Sequence, residues 1–257
     1  MIKPVKRIAV SPKDEHCLLT ARSNPSQGEG QQPDHYRDRV VIKPWGYEFL
    51  VAENRHVAIW FLHIKKDHST SMHCHPLKKT SLTVLSGKAL CNTFQHRHFL
   101  SAGDSLIIDP AVFHSTRAVS LDGISLIEVE TPPAKLDLCR LEDKYGRQAR
   151  GYESQAETVT EDLDVFGYFC FDPFHTAHPP FFVEGRYALS LEFLAGDPDK
   201  SFPDPGSVYC VCQGRLLGRN RETLVGVGET ERGSYLANIP DLSFEPDTVL
   251  LKMAVFT

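Results

Sequence analysis

From residue 39 onward, the chain alternates between short apolar runs and clusters of turn-forming residues. Examples of the runs are "HVAIWFLHI", "SLTVLSGKAL", "DSLIIDP" and "ISLIEVE". Apolar or alternating runs of this length, bounded by Gly, Pro, Asp or Ser, are typical of strands in a β-sandwich or β-barrel. The pattern therefore predicts an all-β protein.

The first 38 residues do not share this pattern. Residues 22–38, "RSNPSQGEGQQPDHYRD", are polar and rich in Gly, Pro and Gln, which predicts an arm or linker of partly low order. A second charged interruption, "RLEDKYGRQARG" at 140–151, predicts a domain boundary. We therefore expect an N-terminal arm at 1–38, one domain at 39–150 and another at 151–257.

The second half of the chain repeats the first in a weaker form. The stretch "FLHIKKDHSTSMHCHPLKKTSLTVLSGKAL" (61–90) aligns with "FLAGDPDKSFPDPGSVYCVCQGRLL" (193–217). Both run from a strand through a polar loop into another strand and a Gly turn. A period longer than about 100 residues predicts duplicated domains instead of a solenoid of short repeats. The second copy has no histidine where the first has three, so we expect it to lack metal ligands.

Composition and charge narrow the classes of function. The 257 residues are 41% hydrophobic and 24% charged, and the net charge of -5 gives no reason to expect nucleic acid or an anionic membrane as partner. No apolar run approaches the roughly 20 residues that span a bilayer. The N-terminus lacks the apolar core of a secretory signal, and seven cysteines are too few for a disulfide scaffold. We expect a cytoplasmic protein.

Three histidines form a candidate metal site. His73 and His75 are two residues apart, so on a strand both imidazoles point to the same face. Pro110 ends the apolar run "DSLIID", and the turn that follows can aim His114 inward. Because imidazole nitrogens suit borderline transition metals, we predict a divalent ion, Zn, Fe or Ni, on these three side chains.

The same residues carry a family resemblance. "HSTSMHCHPLKKTSLTVLSG" followed by "GDSLIIDPAVFH" resembles the two sequence motifs of the cupin superfamily. Three further stretches, "KPWGYE" (43–48), "LIEVETP" (126–132) and "DLCRLEDKYGR" (137–147), resemble the cupin domain of type II mannose-6-phosphate isomerases. The resemblance covers about residues 40–150. It implies a double-stranded β-helix, or jelly-roll, barrel with a metal in its mouth, and the repeat makes the chain a bicupin.

Thr80 departs from the pattern of the resembled family. It stands where that family has Glu, seven residues before Gly87. A neutral hydroxyl is a poor metal ligand, so the predicted ligands are three neutral histidines with water or substrate. Such a set disfavours hard ions that prefer carboxylate oxygen, such as Mn. We assign Thr80 to substrate binding.

Basic residues next to the histidines are candidates for holding an anionic substrate. Lys78 and Lys79 follow the strand that carries the first two histidines, and Arg117 lies three residues after His114. If they converge on the barrel mouth, they hold a phosphate or carboxylate. We predict Lys78 and Arg117 as substrate-binding residues and Lys79 as a catalytic one.

Glu128 and Glu130 are the candidate proton carriers. They alternate in "LIEVE" and therefore share one face of a strand. In the resembled isomerases, a carboxylate near the metal serves as a base that moves the proton at C2. If their face is inward, either glutamate can take this role.

The resemblance implies an isomerase or epimerase that acts on a sugar or sugar phosphate, so we expect a small, anionic carbohydrate substrate. Two alternatives stay open. A carboxylate-free site is also suited to a three-histidine metal dioxygenase. A non-enzymatic sugar- or nucleotide-sugar-binding accessory protein would use its second domain for dimerisation, and we expect a homodimer.

Overall fold

A computed structural model describes residues 4–22, 35–147, 152–172, 174, 179–183, 187–194 and 202–255. The predicted low-order arm has two regular elements near its start, strand β1 (Lys6–Ile8) and helix α1 (Pro12–Arg22). Strand β1 pairs in parallel with a strand of the first barrel. Residues 23–34 of the predicted linker lie outside the described residues. In the described part of the chain, no helix has the length and apolar character needed to cross a membrane.

The first barrel contains eight consecutive strands in the jelly-roll order. With their flanking strands they are β2 (Val40–Lys43), β3 (Gly46–Glu53), β4 (Ala58–Ile64), β5 (Met72–Cys74), β6 (Lys79–Ser86), β7 (Lys88–Thr93), β8 (Arg97–Ser101), β9 (Ser105–Ile108), β10 (His114–Ala118), β11 (Ile124–Thr131), β12 (Cys139–Glu142) and β13 (Thr158–Val159). One sheet has the order β1-β9-β6-β11-β4-β3-β2-β13, and the facing sheet has the order β12-β5-β10-β7-β8. From β4 to β11 the chain passes back and forth between these two sheets, except at the β7–β8 hairpin, which lies within one sheet. The predicted all-β jelly-roll fold is therefore confirmed.

The second half has the same strand order. Its elements are β14 (Phe181–Val183), β15 (Tyr187–Leu194), β16 (Ser207–Gln213), β17 (Leu216–Leu217), β18 (Thr223–Val225), β19 (Thr230–Arg232), helix α2 (Gly233–Leu236), β20 (Ser243–Phe244) and β21 (Thr248–Val255), preceded by 3-10 turns at Gln155–Glu157 and Leu163–Phe166. The order β15-β21-β16-β19 matches β4-β11-β6-β9, and β20-β17-β18 matches β10-β7-β8. A counterpart of β5 would fall at residues 195–201, which lie outside the described residues. The predicted domain limits stay a prediction.

The sheets stack as four layers with three cores between them. The eight-stranded sheet is buried on both faces, because β4 directs Trp60 and Leu62 into the first barrel and Ile59 and Phe61 toward the second half. The facing sheet of the second half contributes Leu189 and its neighbours to that shared core. A third apolar core fills the second barrel. Strand β11 therefore lies between the first barrel's interior and a wholly apolar core.

Candidate metal centre

Backbone pairing brings the three predicted histidines together. Strand β5 runs antiparallel to β10, and His73 lies directly opposite His114. His75 follows β5 immediately, and its carbonyl accepts a hydrogen bond from the Ala111 amide at 2.8 Å. The turn before His114 is also held by α1, since the Phe113 amide donates to Asp14 Oδ1 at 2.8 Å. The turn predicted after Pro110 thus delivers the third histidine.

The imidazole rings face one another closely. Ring centroids are 4.5 Å apart for His73 and His114, 5.0 Å for His73 and His75, and 5.7 Å for His75 and His114. Each ring offers one nitrogen, and the three nitrogens all lie within 4.8 Å of one another. This is a cluster that a single ion could bridge.

Hydrogen bonds orient all three rings in the same way. The Nδ1 atom lies 2.8 Å from the Ser71 carbonyl for His73, 2.6 Å from the Asp137 carbonyl for His75, and 3.0 Å from the Val112 carbonyl for His114. A carbonyl only accepts, so each Nδ1 carries a proton and each Nε2 keeps its lone pair. Such backbone carbonyls commonly orient histidines that ligate a metal.

The electrostatic environment keeps these histidines neutral. Burial lowers the pKa of all three, and the neighbouring histidines and Lys78 lower the pKa of His75 further. Nε2 of His75 is buried and has no hydrogen-bond partner among the described residues. Neutral imidazoles with free lone pairs, one of them unsatisfied, fit a divalent transition metal, which His73, His75 and His114 would hold.

Two carboxylates of β11 lie beside the histidines. Glu128 Oε1 is 3.8 Å from His75 Nε2. His75, Glu128 and Glu130 form a second group, which shares His75 with the histidine cluster and has its ligand atoms within 4.8 Å of one another. Burial, and next the charge of Glu130, raises the pKa of Glu128 to about 7. The structure therefore places both predicted proton carriers at the histidine cluster.

Lys78 and Thr80 lie next to Glu130. The Lys78 side chain is buried, and its Nζ donates to Glu130 Oε1 at 2.8 Å. Thr80 is opposite Glu130 on the neighbouring strand β6, and its buried hydroxyl has no hydrogen-bond partner in the described part of the chain. Lys78 and Thr80, two of the three predicted substrate-binding residues, thus lie behind the carboxylates, and neither lines the cavity next to the histidines.

That cavity has a volume of about 60 Å³ and opens to solvent. His73, His75, Glu128 and Glu130 form one wall. The other walls carry residues that were not predicted: Lys43, Glu48, Lys135, Arg140, Arg147 and Tyr152, with apolar contributions from Trp45, Leu62 and Leu138. The cavity is thus bounded by charged groups of both signs.

The unpredicted charges pair with one another. Lys135 Nζ is 2.8 Å from Glu48 Oε1 and lies over the Trp60 ring at 3.4 Å from its centroid. Burial raises the pKa of Glu48, but Lys135 and then Lys43 lower it more, to about 2. Lys43 also pairs with Glu153. These groups are charged and fixed before any substrate arrives.

Two other predicted site residues, Lys79 and Arg117, lie away from both the histidines and the cavity. Lys79 points to the opposite face of β6, because side chains alternate along a strand, and its Nζ pairs with Glu229 of the second half at 2.8 Å. Arg117 lies on the outer face of its sheet, where its Nη2 is 3.2 Å from Asp67 Oδ1. Neither side chain contacts the histidines, because successive side chains along a strand point to opposite faces of the sheet.

The sequence held a signal for the missed residues. "KPWGYE" supplies Lys43, Trp45 and Glu48, and "DLCRLEDKYGR" supplies Arg140 and Arg147. Both stretches carry the cupin resemblance, but their local pattern does not assign their charges to a site. Lys43 and Glu48 reach the cavity from the paired strands β2 and β3, and Arg140 reaches it because β12 pairs with β5 beside the histidines.

Comparisons with known proteins give structural neighbours only. No family model and no curated protein matches the chain. It is similar to KdgF from Halomonas sp. (15% identity, 41% of this chain and 96% of that chain, TM-score 0.35). It is also similar to an RmlC-like cupin from Shewanella frigidimarina NCIMB 400 (22% identity, 41% of this chain and 96% of that chain, TM-score 0.35). A third neighbour is a conserved protein with a double-stranded β-helix domain from Klebsiella pneumoniae subsp. pneumoniae MGH 78578 (18% identity, 48% of this chain and 95% of that chain, TM-score 0.35). These neighbours are cupin or double-stranded β-helix proteins, and each match covers less than half of this chain.

Proposed function

We propose that this protein is a metal-dependent enzyme that moves a proton on a small hydroxy-carbonyl compound, as an isomerase or epimerase of a sugar or sugar phosphate does. The observation that supports it is a carboxylate, Glu128, whose Oε1 lies 3.8 Å from Nε2 of the candidate ligand His75. Three histidines that share one tautomer would hold the ion. A bound divalent metal supplies a Lewis acid that polarises a carbonyl and stabilises the negative charge that develops on its oxygen.

Glu128 is placed to carry the proton. It is partly exposed and lines the cavity, so a substrate seated against His75 lies within its reach. Its carboxylate takes the proton from the carbon that bears the hydroxyl and returns it, on the same face, to the former carbonyl carbon. The hydroxyl proton moves to the former carbonyl oxygen by exchange with water, because the cavity opens to solvent. Positioned general bases contribute roughly 10²–10⁴-fold in rate.

The charged wall opposite Glu128 orients the substrate. Lys135 is held by Glu48 and by the Trp60 ring, and Arg147 Nη1 is held by Glu153 Oε1 at 2.6 Å. Because ion pairs already hold both cations in place, the two side chains can donate hydrogen bonds to hydroxyl or anionic groups of the substrate without moving. Lys79 and Arg117, which the sequence predicted for this task, pair with Glu229 and Asp67 and take no part in this arrangement.

Proton exchange in deuterated water tests the proposal. The protein, supplied in turn with Zn, Fe(II), Ni and Co, is incubated with aldose and ketose phosphates and with small hydroxy-aldehydes. Proton NMR should show deuterium entering the carbon next to the carbonyl. The Glu128→Gln variant should slow this exchange at least about 100-fold, because it loses the base. Glu192→Gln, which changes a carboxylate in the second barrel, should exchange at the wild-type rate.

Absence of exchange with every metal and substrate class contradicts the proposal. Consumption of oxygen by the Fe(II)-loaded protein with a small thiol, diketone or catechol would favour the three-histidine dioxygenase instead.

A further inference from the structure

One oxygen of Glu130 is buried without a partner. The residue is 2% exposed, and its Oε1 accepts a hydrogen bond from Lys78 Nζ at 2.8 Å. Its Oε2 has no hydrogen-bond partner among the described residues. A carboxylate oxygen removed from water costs free energy unless a donor or a cation faces it. The position therefore calls for a positively charged group.

A second unsatisfied atom lies close to this carboxylate. Nε2 of His75 is likewise buried without a hydrogen-bond partner in the described part of the chain. One ligand nitrogen of His75 and one carboxylate oxygen of Glu130 lie within 4.8 Å of each other. A lone-pair nitrogen and an anionic oxygen do not satisfy each other, but a divalent cation satisfies both.

We propose that Glu130 supplies a carboxylate ligand, from the side of His75, to the metal that His73, His75 and His114 would hold; this rests on the metal site of the proposed function. Lys78 fixes the carboxylate through Oε1 and leaves Oε2 for the ion, as groups behind metal ligands commonly do. The negative charge of Glu130 would also offset the repulsion between the buried Lys78 ammonium and a cation held by the histidines. Glu128, the more exposed carboxylate, stays available to the substrate.

Thr80, the residue opposite Glu130, also has a buried side-chain oxygen without a hydrogen-bond partner among the described residues. It lies directly across from Glu130 in the β6–β11 register and is 1% exposed. Directly opposite side chains on an antiparallel pair have Cβ atoms about 4.5–5.5 Å apart. A carboxylate placed at either position therefore projects toward the same histidines, and exchanging the two residues should preserve the ligand set.

Metal affinity tests this assignment without reference to activity. Metal-free protein is titrated with Co²⁺ while its visible absorption is followed, and with Zn²⁺ in competition with a chelator. Glu130→Gln keeps the shape and the acceptor for Lys78 but removes the charge, and should raise Kd at least about 30-fold. The matched variant Glu192→Gln, whose carboxylate also pairs with a lysine (Lys252, 3.2 Å), should bind as the wild type does.

Two further variants complete the test. The exchange Thr80→Glu with Glu130→Thr should recover affinity to within about fivefold of the wild type, and its Co²⁺ spectrum should resemble the wild-type spectrum. If Glu130→Gln does not fold, Lys78→Met with Glu130→Gln replaces it, because that pair leaves no buried ammonium unpaired. Wild-type binding with Glu130→Gln affinity within twofold overturns this proposal alone. A wild-type protein that binds none of the ions overturns the proposed function as well.

Discussion

The two barrels share a strand order but differ in the side chains that their last strands turn inward. In the first, the last strand β11 turns Glu128 and Glu130 inward, and the interior holds paired charges around a cavity. In the second, the corresponding strand β21 turns Leu250 inward, among apolar side chains such as Tyr209, Val211 and Leu216. One arrangement thus places chemistry where the other places a packed core.

This contrast shows how the molecule divides stability and chemistry. Burying charges costs free energy even when they are paired, whereas close-packed apolar side chains stabilise a fold. The first barrel's own apolar core, the shared core behind β11 and the second barrel's core supply the apolar burial that the charged cavity lacks. A charged cavity can be held rigid because the sheet that carries it is packed on both faces.

The largest effect is expected at the buried ion pair of the first barrel. Lys78→Ala removes the ammonium that is hydrogen-bonded to the buried Glu130 and leaves only Lys135, at 4.0 Å, so it should lower the free energy of unfolding by about 3–5 kcal/mol. The comparable pair in the second barrel, Lys252 and Glu192, is partly exposed, so Lys252→Ala should cost about 1 kcal/mol or less. Urea unfolding of the metal-free proteins measures both values, and equal losses would show that the two interiors do not differ in this way.

A similar loss is expected from the second barrel's core, with a different functional result. Leu250 is fully buried, so Leu250→Ala should cost about 2–5 kcal/mol through lost burial and a cavity. The Kd for Co²⁺ should stay within twofold of the wild-type value, because no ligand moves. A weakened Kd in a folded variant would reveal that the second barrel's packing also sets the metal site.

A smaller effect, dependent on pH, should be confined to the first barrel. Burial holds the pKa of His114 below its value in the unfolded chain, so below about pH 6.5 the unfolded state takes up a proton that the folded state does not. Stability from this group is therefore present above that pH and is lost as the pH falls, by at most about 1.4 kcal/mol per pH unit. The stability of metal-free His114→Gln, relative to the wild type, should rise between pH 6.5 and 5.5. A constant difference across pH 7.5 to 5.5 would contradict the neutral, buried state.

The fold and the histidines could be predicted from local sequence because each depends on short-range pattern. Alternation of apolar residues gives strands, and His73 and His75 share a face by spacing alone. Hydrogen bonds to Asp14 and His75 hold the turn between Pro110 and His114, and no local pattern predicts these bonds. The spacing of the motif was nevertheless sufficient to predict that His114 joins the other two histidines.

The rest of the cavity depends on contacts distant in sequence. Lys43, Glu48 and Lys135 come from separate segments, and their charges resemble ordinary surface residues until the chain folds. Lys79 shows the converse, since a position next to the histidines does not fix which face of β6 it occupies. Neighbourhood in sequence was a poor guide to neighbourhood at the site.

Because β11 is buried on both faces, its pairing register with the neighbouring strands is strongly constrained. Glu128 and Glu130 face the cavity, while Ile127 and Val129 enter the core shared with the second half. A slip of one residue would put two carboxylates into that apolar core and two aliphatic side chains against the histidines. The core shared with the second half thus penalises the misfolded pairing and fixes the placement of the carboxylates before any ion binds.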